Sequence, residues 1–388
     1  MGLRLKMWKT TPAAPVIGLC LGMLLVGQTA AQETKETVTV DDLDRTFVVR
    51  LPRGYDSHQH YPVVIVLHGM NQDTDDIERL TRFDELADKD SIIAVYPSAM
   101  HGRWNIGVRP EERRSSFGPG PGRRRGGYGG GGYPGGGYPG GGGGYPGGGY
   151  PGGGGGYPQG GGRGQGTGQD EEKQRPGPAD DIAFLNSMLD KVESKLAVDS
   201  SRIYATGLSE GGIMAMRVGC AMSDRVAAIA PVGAAMPKKM ICLPSRPVPA
   251  VMINGTSDPV VPYGGGTEHN LSLSVISVED TAKAWGRIDR CAEKPTLSKL
   301  PAHEKGGMET KVDTFNGCQQ NGQVVLYSVK GAGNTWPGGE QYEVEKQVGK
   351  TSQDLNANET IWSFLVTKKL EGKSAADSNG AENTPSVK

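Results

Sequence analysis

An α/β fold on a mostly parallel sheet follows from three features of the chain. Short apolar runs alternate with stretches of helical spacing along most of its length. The clearest run, Tyr61-Pro-Val-Val-Ile-Val-Leu67, is apolar throughout, as a strand covered on both faces must be. The stretch Arg202-Ile-Tyr-Ala-Thr-Gly-Leu-Ser-Glu-Gly-Gly-Ile-Met-Ala-Met-Arg217 passes from an apolar strand through a glycine-flanked turn into a helix.

The elements follow in order. Arg4, Lys6 and Lys9 precede an apolar run from Pro15 to Gly27, and Thr29-Ala30-Ala31 offers small residues for cleavage before Gln32. This pattern predicts a secretory signal peptide over residues 1–31; the run is too short for a good membrane span. Thr46–Leu51 reads as an edge strand and Tyr61–Leu67 as a buried one. Residues 74–89 have helical spacing, with Ile77, Leu80 and Leu86 on one face. Ser91–Tyr96 is the next strand.

Composition then changes abruptly. Residues 110–178 are Arg, Gly, Tyr and Pro, with repeated Gly-Gly-Tyr-Pro, and hold about half of the 61 glycines. Such a segment has too little apolar surface to offset its ordering entropy, so a disordered insertion is expected. Structure resumes at Asp180-Asp181-Ile-Ala-Phe-Leu185, a helix to about Leu196. Strands follow the turn at Arg225–Val232, Pro249–Asn254 and Gln323–Val329. Ser277-Val-Glu-Asp280 has the capping-box pattern and opens a helix to about Arg290. Asp354–Leu370 is the closing helix, and residues 371–388 read as a disordered tail. One domain is expected from residues 40–109 and 179–370.

The formal net charge of −1 gives no sign of a nucleic-acid partner. No pattern calls for a metal or cofactor. Export to a secreted or periplasmic location implies an oxidising compartment, with no membrane association after cleavage. The processed chain keeps Cys220, Cys242, Cys291 and Cys318. Four cysteines allow three pairings; proximity favours Cys220–Cys242 and Cys291–Cys318.

The turn Gly207-Leu208-Ser209-Glu210-Gly211 is a G-x-S-x-G nucleophile elbow. Its strand-to-helix setting would lift Ser209 Oγ clear of the sheet, with the free N–H groups of the next helix aimed at it. Ester chemistry there needs a nucleophile, oxyanion donors, a base, and an acid to orient the base. Ser209 is the nucleophile. The N–H of Glu210 is one donor, and the loop His68-Gly69-Met70 supplies the other, expected to be the N–H of Met70. Asp258, in Gly255-Thr256-Ser257-Asp258-Pro259 after a strand, is the acid.

These pieces resemble the secreted polyhydroxybutyrate depolymerase and feruloyl esterase group of α/β-hydrolases, akin to carbohydrate esterase family 1. The matching segments are Leu67-His68-Gly69, Val95-Tyr96-Pro97, Trp104-Asn105, Asp180-Asp181-Ile-Ala-Phe-Leu185, Gly207–Gly212, Gly255–Asp258 with Val261-Pro262-Tyr263, and Thr335-Trp336-Pro337-Gly338-Gly339. The resemblance implies an α/β-hydrolase fold and Ser209 and Asp258 as triad members. It also implies an ester substrate, possibly borne on a polyester or plant-wall polysaccharide. His68, Trp104 and Trp336 are candidates to line the substrate site.

One departure matters. Before Thr-Trp-Pro-Gly-Gly the family has its catalytic histidine, and this chain has Asn334. Asn254 also stands where histidine is common in the family. An amide cannot take a proton from a serine hydroxyl near neutral pH. The six histidines are His58, His60, His68, His101, His269 and His303. His101 and His269 are the leading substitutes, with His303 behind. Three readings result: an exported ester hydrolase with a relocated base or slow turnover, a catalytically dead relative that binds an ester or polysaccharide, and an envelope protein acting through its insertion.

Overall fold

In the computed structural model the strand that leads to Ser209 lies in the interior of a ten-stranded sheet. The structure describes residue 2 and residues 32–108, 179–268, 273–302 and 306–372. The expected leader, the insertion, most of the tail, His269 and His303 lie outside them. Among the described residues no helix is long and apolar enough to cross a membrane.

The strands are β1 (Gln32–Val40), β2 (Leu43–Leu51), β3 (Tyr61–Leu67), β4 (Ile93–Pro97), β5 (Val198–Leu208), β6 (Ala228–Val232), β7 (Ala250–Gly255), β8 (Gly266–Glu268), β9 (Leu273–Val275), β10 (Thr296–Leu300), β11 (Thr310–Phe315) and β12 (Val324–Val329). The large sheet runs β1-β2-β4-β3-β5-β6-β7-β12-β11-β10, and β8–β9 form a small separate pair. From β4 to β12 the pairing is parallel; β1, β2, β10 and β11 add antiparallel edges. This is the α/β-hydrolase architecture, and the mostly parallel sheet is as expected.

The helices are α1 (Thr74–Thr81), α2 (Phe83–Asp90), α3 (Asp181–Lys195), α4 (Glu210–Ala221), α5 (Val278–Ile288), α6 (Glu345–Val348) and α7 (Ala357–Leu365). All seven residues of β3 are buried, because its alternate side chains feed two cores. Val63, Ile65 and Leu67 pack with α3, α4 and α5; Val64 and Val66 pack with α1, α2 and α7.

Asp181 sits at the start of α3 and is buried with Arg45, 2.6 Å away. It also accepts from the Asn105 N–H at 2.6 Å, which ties the segment before residue 108 to the one after residue 179. The two disulfides are Cys220–Cys242 and Cys291–Cys318, the pairing that proximity favours.

Two differences from expectation have clear causes. The single helix expected over 74–89 is two, broken at Arg82, whose φ of 49° is left-handed. The break frees the Thr81 carbonyl, and Asn358 of α7 takes it at 2.7 Å. Strands β1, β8, β9, β10 and β11 go beyond those expected; β1 and β10 are polar edge strands without a long apolar run, and β8 and β9 have three residues each.

Candidate active site

Ser209 sits between β5 and α4 at φ 57°, ψ −117°, a conformation that strains any residue with a Cβ. The surrounding glycines are steric necessities. A Cβ at Gly211 would lie 2.2 Å from the Leu67 carbonyl oxygen, and one at Gly207 would lie 2.6 Å from that same oxygen. The elbow can therefore press against the end of β3, and only glycine permits it. Ser209 itself is partly exposed, and its Oγ makes no hydrogen bond among the described residues.

The segment after β3 supplies the second half of the site. Gly69 N donates to Gln72 Oε1 at 2.8 Å, and Asn71 N donates to Gly102 O at 2.9 Å. Between them the Met70 N–H makes no hydrogen bond among the described residues, and neither does the Glu210 N–H. Two backbone donors next to the elbow are thus left for a ligand oxygen, as an oxyanion site requires.

Asp258 is buried at the other side. Its Oδ1 accepts from Val260 N and Val261 N, each at 2.8 Å, and its Oδ2 accepts from Asn334 Nδ2 at 2.8 Å. Burial pushes its carboxyl up to about 7, against those three hydrogen bonds. Asn334 Nδ2 also donates to Gly233 O at 2.9 Å, and its Oδ1 has no partner. The loop that carries Asn334 is clamped: Asn334 N donates to Val348 O at 2.6 Å, and Tyr342 Oη donates to Asn334 O at 3.1 Å. Asn334 thus holds Asp258 through an N–H, as an imidazole would, but offers Ser209 no basic nitrogen. Asn254 is a parallel case: Nδ2 donates to Ala234 O at 2.9 Å, and a buried Oδ1 is unpartnered.

Ser209 and Asn334 open onto one cleft of about 610 Å³. Met70, Leu208, Pro259, Val260 and Val348 form its apolar part, and Asn71, Gln72, Asp76, Arg79, Tyr342, Glu343, Lys346 and Gln347 its polar part, with charges of both signs. Sequence reasoning missed the polar group. Asn71 and Gln72 follow directly on Met70, but no pattern marks Arg79 or Lys346.

His68, Trp104 and Trp336 do not line this cleft, and the expectation that they would is corrected. His68 is fully buried; Ala99 N donates to its Nε2 at 3.0 Å, so its proton is on Nδ1, which donates to Gly69 O at 2.7 Å. Burial pushes its pKa down, so it is neutral and fully engaged. Trp104 is buried beside it and donates from Nε1 to His68 O at 2.8 Å. Trp336 is buried in the other core and donates from Nε1 to Asn358 Oδ1 at 2.9 Å. All three brace the loops around the site.

No described histidine replaces the base. His58 and His60 precede β3, at the end of the sheet away from Ser209. His101 is exposed on the turn Met100–Gly102 and is not among the cleft residues. Glu210 turns its carboxylate inward, with Arg103 Nε 3.3 Å from Oε1 and Oε2 unpartnered; burial pushes it up to about 7.

Comparison with known proteins adds four similarities. The family described as "Putative esterase" matches residues 41–125. "Putative esterase NocK" of Nocardia uniformis subsp. tsuyamanensis is 30% identical over 202 residues, 50% of this chain and 59% of the relative. "Feruloyl esterase B" of Piromyces equi is 32% identical over 152 residues, 36% of this chain and 28% of the relative. The chain spans less than two thirds of the length of either. Among solved structures, the acetyl xylan esterase from Aspergillus awamori is 11% identical, with a TM-score of 0.48, covering 86% of this chain and 99% of that one.

Proposed function

We propose that this chain, which is an α/β-hydrolase of the esterase type, binds a carboxylic ester in the Ser209 cleft and transfers its acyl group to Ser209 slowly. The observation that carries this is the pair of unused N–H groups at Met70 and Glu210 beside a strained serine, with Asn334 where a base is needed. The ester carbonyl oxygen sits between the two N–H groups. Ser209 Oγ bonds to the carbonyl carbon, and the C–OR bond breaks. The Oγ proton leaves to water in the open cleft, and the alkoxide takes one from water.

Magnitudes set the rate. Loss of a triad histidine costs about 10⁶ in kcat, roughly 8 kcal/mol of barrier. Oxyanion donors and binding alone leave roughly 10³–10⁴ over water. Hydrolysis of the acyl-serine needs the same base to activate water, so the acylated protein should accumulate.

The substrate class we propose is an ester carried on a polymer, a polysaccharide or polyester. Support comes from the names of the relatives, which specify feruloyl and acetylxylan esters, and from the polar part of the cleft. The proposed location is outside the cytoplasm, supported by the leader-like N-terminus and the two disulfides. A second reading, a catalytically silent ester or glycan binder, draws on the Asn334–Asp258 hydrogen bond, which occupies the acid without supplying a base.

The test uses p-nitrophenyl acetate with mass spectrometry of the intact protein. The expected result is a burst of p-nitrophenol and an acetyl adduct on the Ser209 peptide, both absent in Ser209→Ala. Turnover indifferent to that substitution, with no adduct, would leave only the binding reading.

A further inference from the structure

A second concavity, about 470 Å³, lies between the β1–β2 hairpin and the last turns of α3, at the β1 edge of the sheet, with β4 and β3 between β2 and β5. Phe47, Val49 and Leu51 of β2 form its floor, and Tyr55, Val192 and Leu196 its walls. Strand register explains why it stays open. In the antiparallel β1–β2 pair, Glu36 stands opposite Phe47, Thr34 opposite Val49 and Gln32 opposite Leu51. Further along the same face β1 carries Val38 and Val40, which do pack on the core. So β1 turns polar where the facing residues of β2 are most apolar, and no large apolar side chain closes the gap.

The rim is charged. Glu36 holds two cations, Lys195 at 2.8 Å and Lys191 at 2.9 Å. One carboxylate between two ammonium groups leaves one positive charge in excess. Lys195 is half exposed, and its Nζ donates to both oxygens of Glu36, at 2.8 and 3.0 Å. An ammonium has three donors, so a further acceptor can be met without breaking the existing pairs.

We propose that this groove binds a single-chain anionic amphiphile, a medium-chain fatty-acid carboxylate. The alkyl chain lies on Phe47, Val49 and Leu51, where burial of apolar surface drives binding. The carboxylate meets Lys191 and Lys195, where it cancels the excess charge. The site is separate from the cleft and does not depend on the chemistry at Ser209.

The test is calorimetric titration of laurate into the processed protein carrying Ser209→Ala, so that turnover does not enter the readout. One saturable site is expected. Thr34→Trp, on the half-buried edge strand, should fill the groove and abolish binding. Leu196→Trp, from the opposite wall, should do the same. Lys195→Glu should weaken laurate by about tenfold or more while leaving uncharged 1-dodecanol within about twofold. Circular dichroism and the melting temperature establish that each variant folds. Laurate binding unchanged by both tryptophan variants would put the ligand elsewhere and overturn the proposal. So would an absence of saturable binding, or an equal loss for laurate and dodecanol with Lys195→Glu. Binding by the processed protein but not by a chain that keeps residues 1–31 would make the leader the occupant, which also overturns it.

Discussion

Asn334→His should restore a general base. The magnitude can be worked from the contacts. Asn334 Nδ2 already lies 2.8 Å from Asp258 Oδ2, the place an imidazole Nδ1–H would take. The loop will hold the ring in place. Position 334 is anchored to Val348, and Gly333 before it has no room for a side chain, since a Cβ would lie 2.0 Å from Val348 O. The oxyanion donors are backbone groups and do not change. Crowding comes from the Gly233 backbone, whose carbonyl oxygen already lies 2.9 Å from Asn334 Nδ2, so the larger ring has to slide toward the cleft. That displacement takes part of the gain. Of the roughly 10⁶ nominally at stake, we expect at least about 10² in kcat/KM. The assay is hydrolysis of p-nitrophenyl butyrate, with Ser209→Ala added to the variant as control. The rate should rise with pH through the imidazole range, because only the neutral ring takes the Oγ proton. A variant that folds like the parent yet is no faster refutes the argument that position 334 is what limits the site.

Three further predictions concern stability. Burial raises the folded-state pKa of Asp258, Glu210 and Asp289 to about 7, so between about pH 4 and pH 7 the folded chain binds more protons than the unfolded one. Stability should therefore fall as pH rises across that window and level off above it. Asp258→Asn should gain roughly 1–3 kcal/mol over the parent at pH 8 relative to pH 4, read from urea melts; equal effects at both pH values would contradict the assignment. Gly211→Ala drives a Cβ to 2.2 Å from a backbone oxygen, so a loss of about 3 kcal/mol or more is expected; a normal thermal melt would show that the elbow can yield. Replacing Cys291 and Cys318 together by Ser opens a loop of sequence separation 27 and should cost about 3 kcal/mol, seen as a lower denaturation midpoint.

Features that rest on short-range pattern are legible in the chain alone. The elbow was legible because a glycine-flanked serine between an apolar strand and a helix is a local arrangement, and its glycines answer to contacts a few ångströms away. The parallel core was legible because a strand buried on both faces is mostly apolar, as Tyr61–Leu67 is. The amide at position 334 is a plain fact of the chain. Tertiary structure decided everything that depends on which way a side chain points and what surrounds it. Trp104 and Trp336 belong to loops around the site, but only packing shows their rings turned inward, with their N–H groups given to His68 O and Asn358 Oδ1. The helix break at Arg82 needed a partner from α7, far along the chain. Edge strands β1 and β10 carry no long apolar run, so pairing alone reveals them. Asp258 became a group poised near neutrality only when folding buried it beside Asn334, because desolvation is a property of the assembled interior and not of any stretch of sequence.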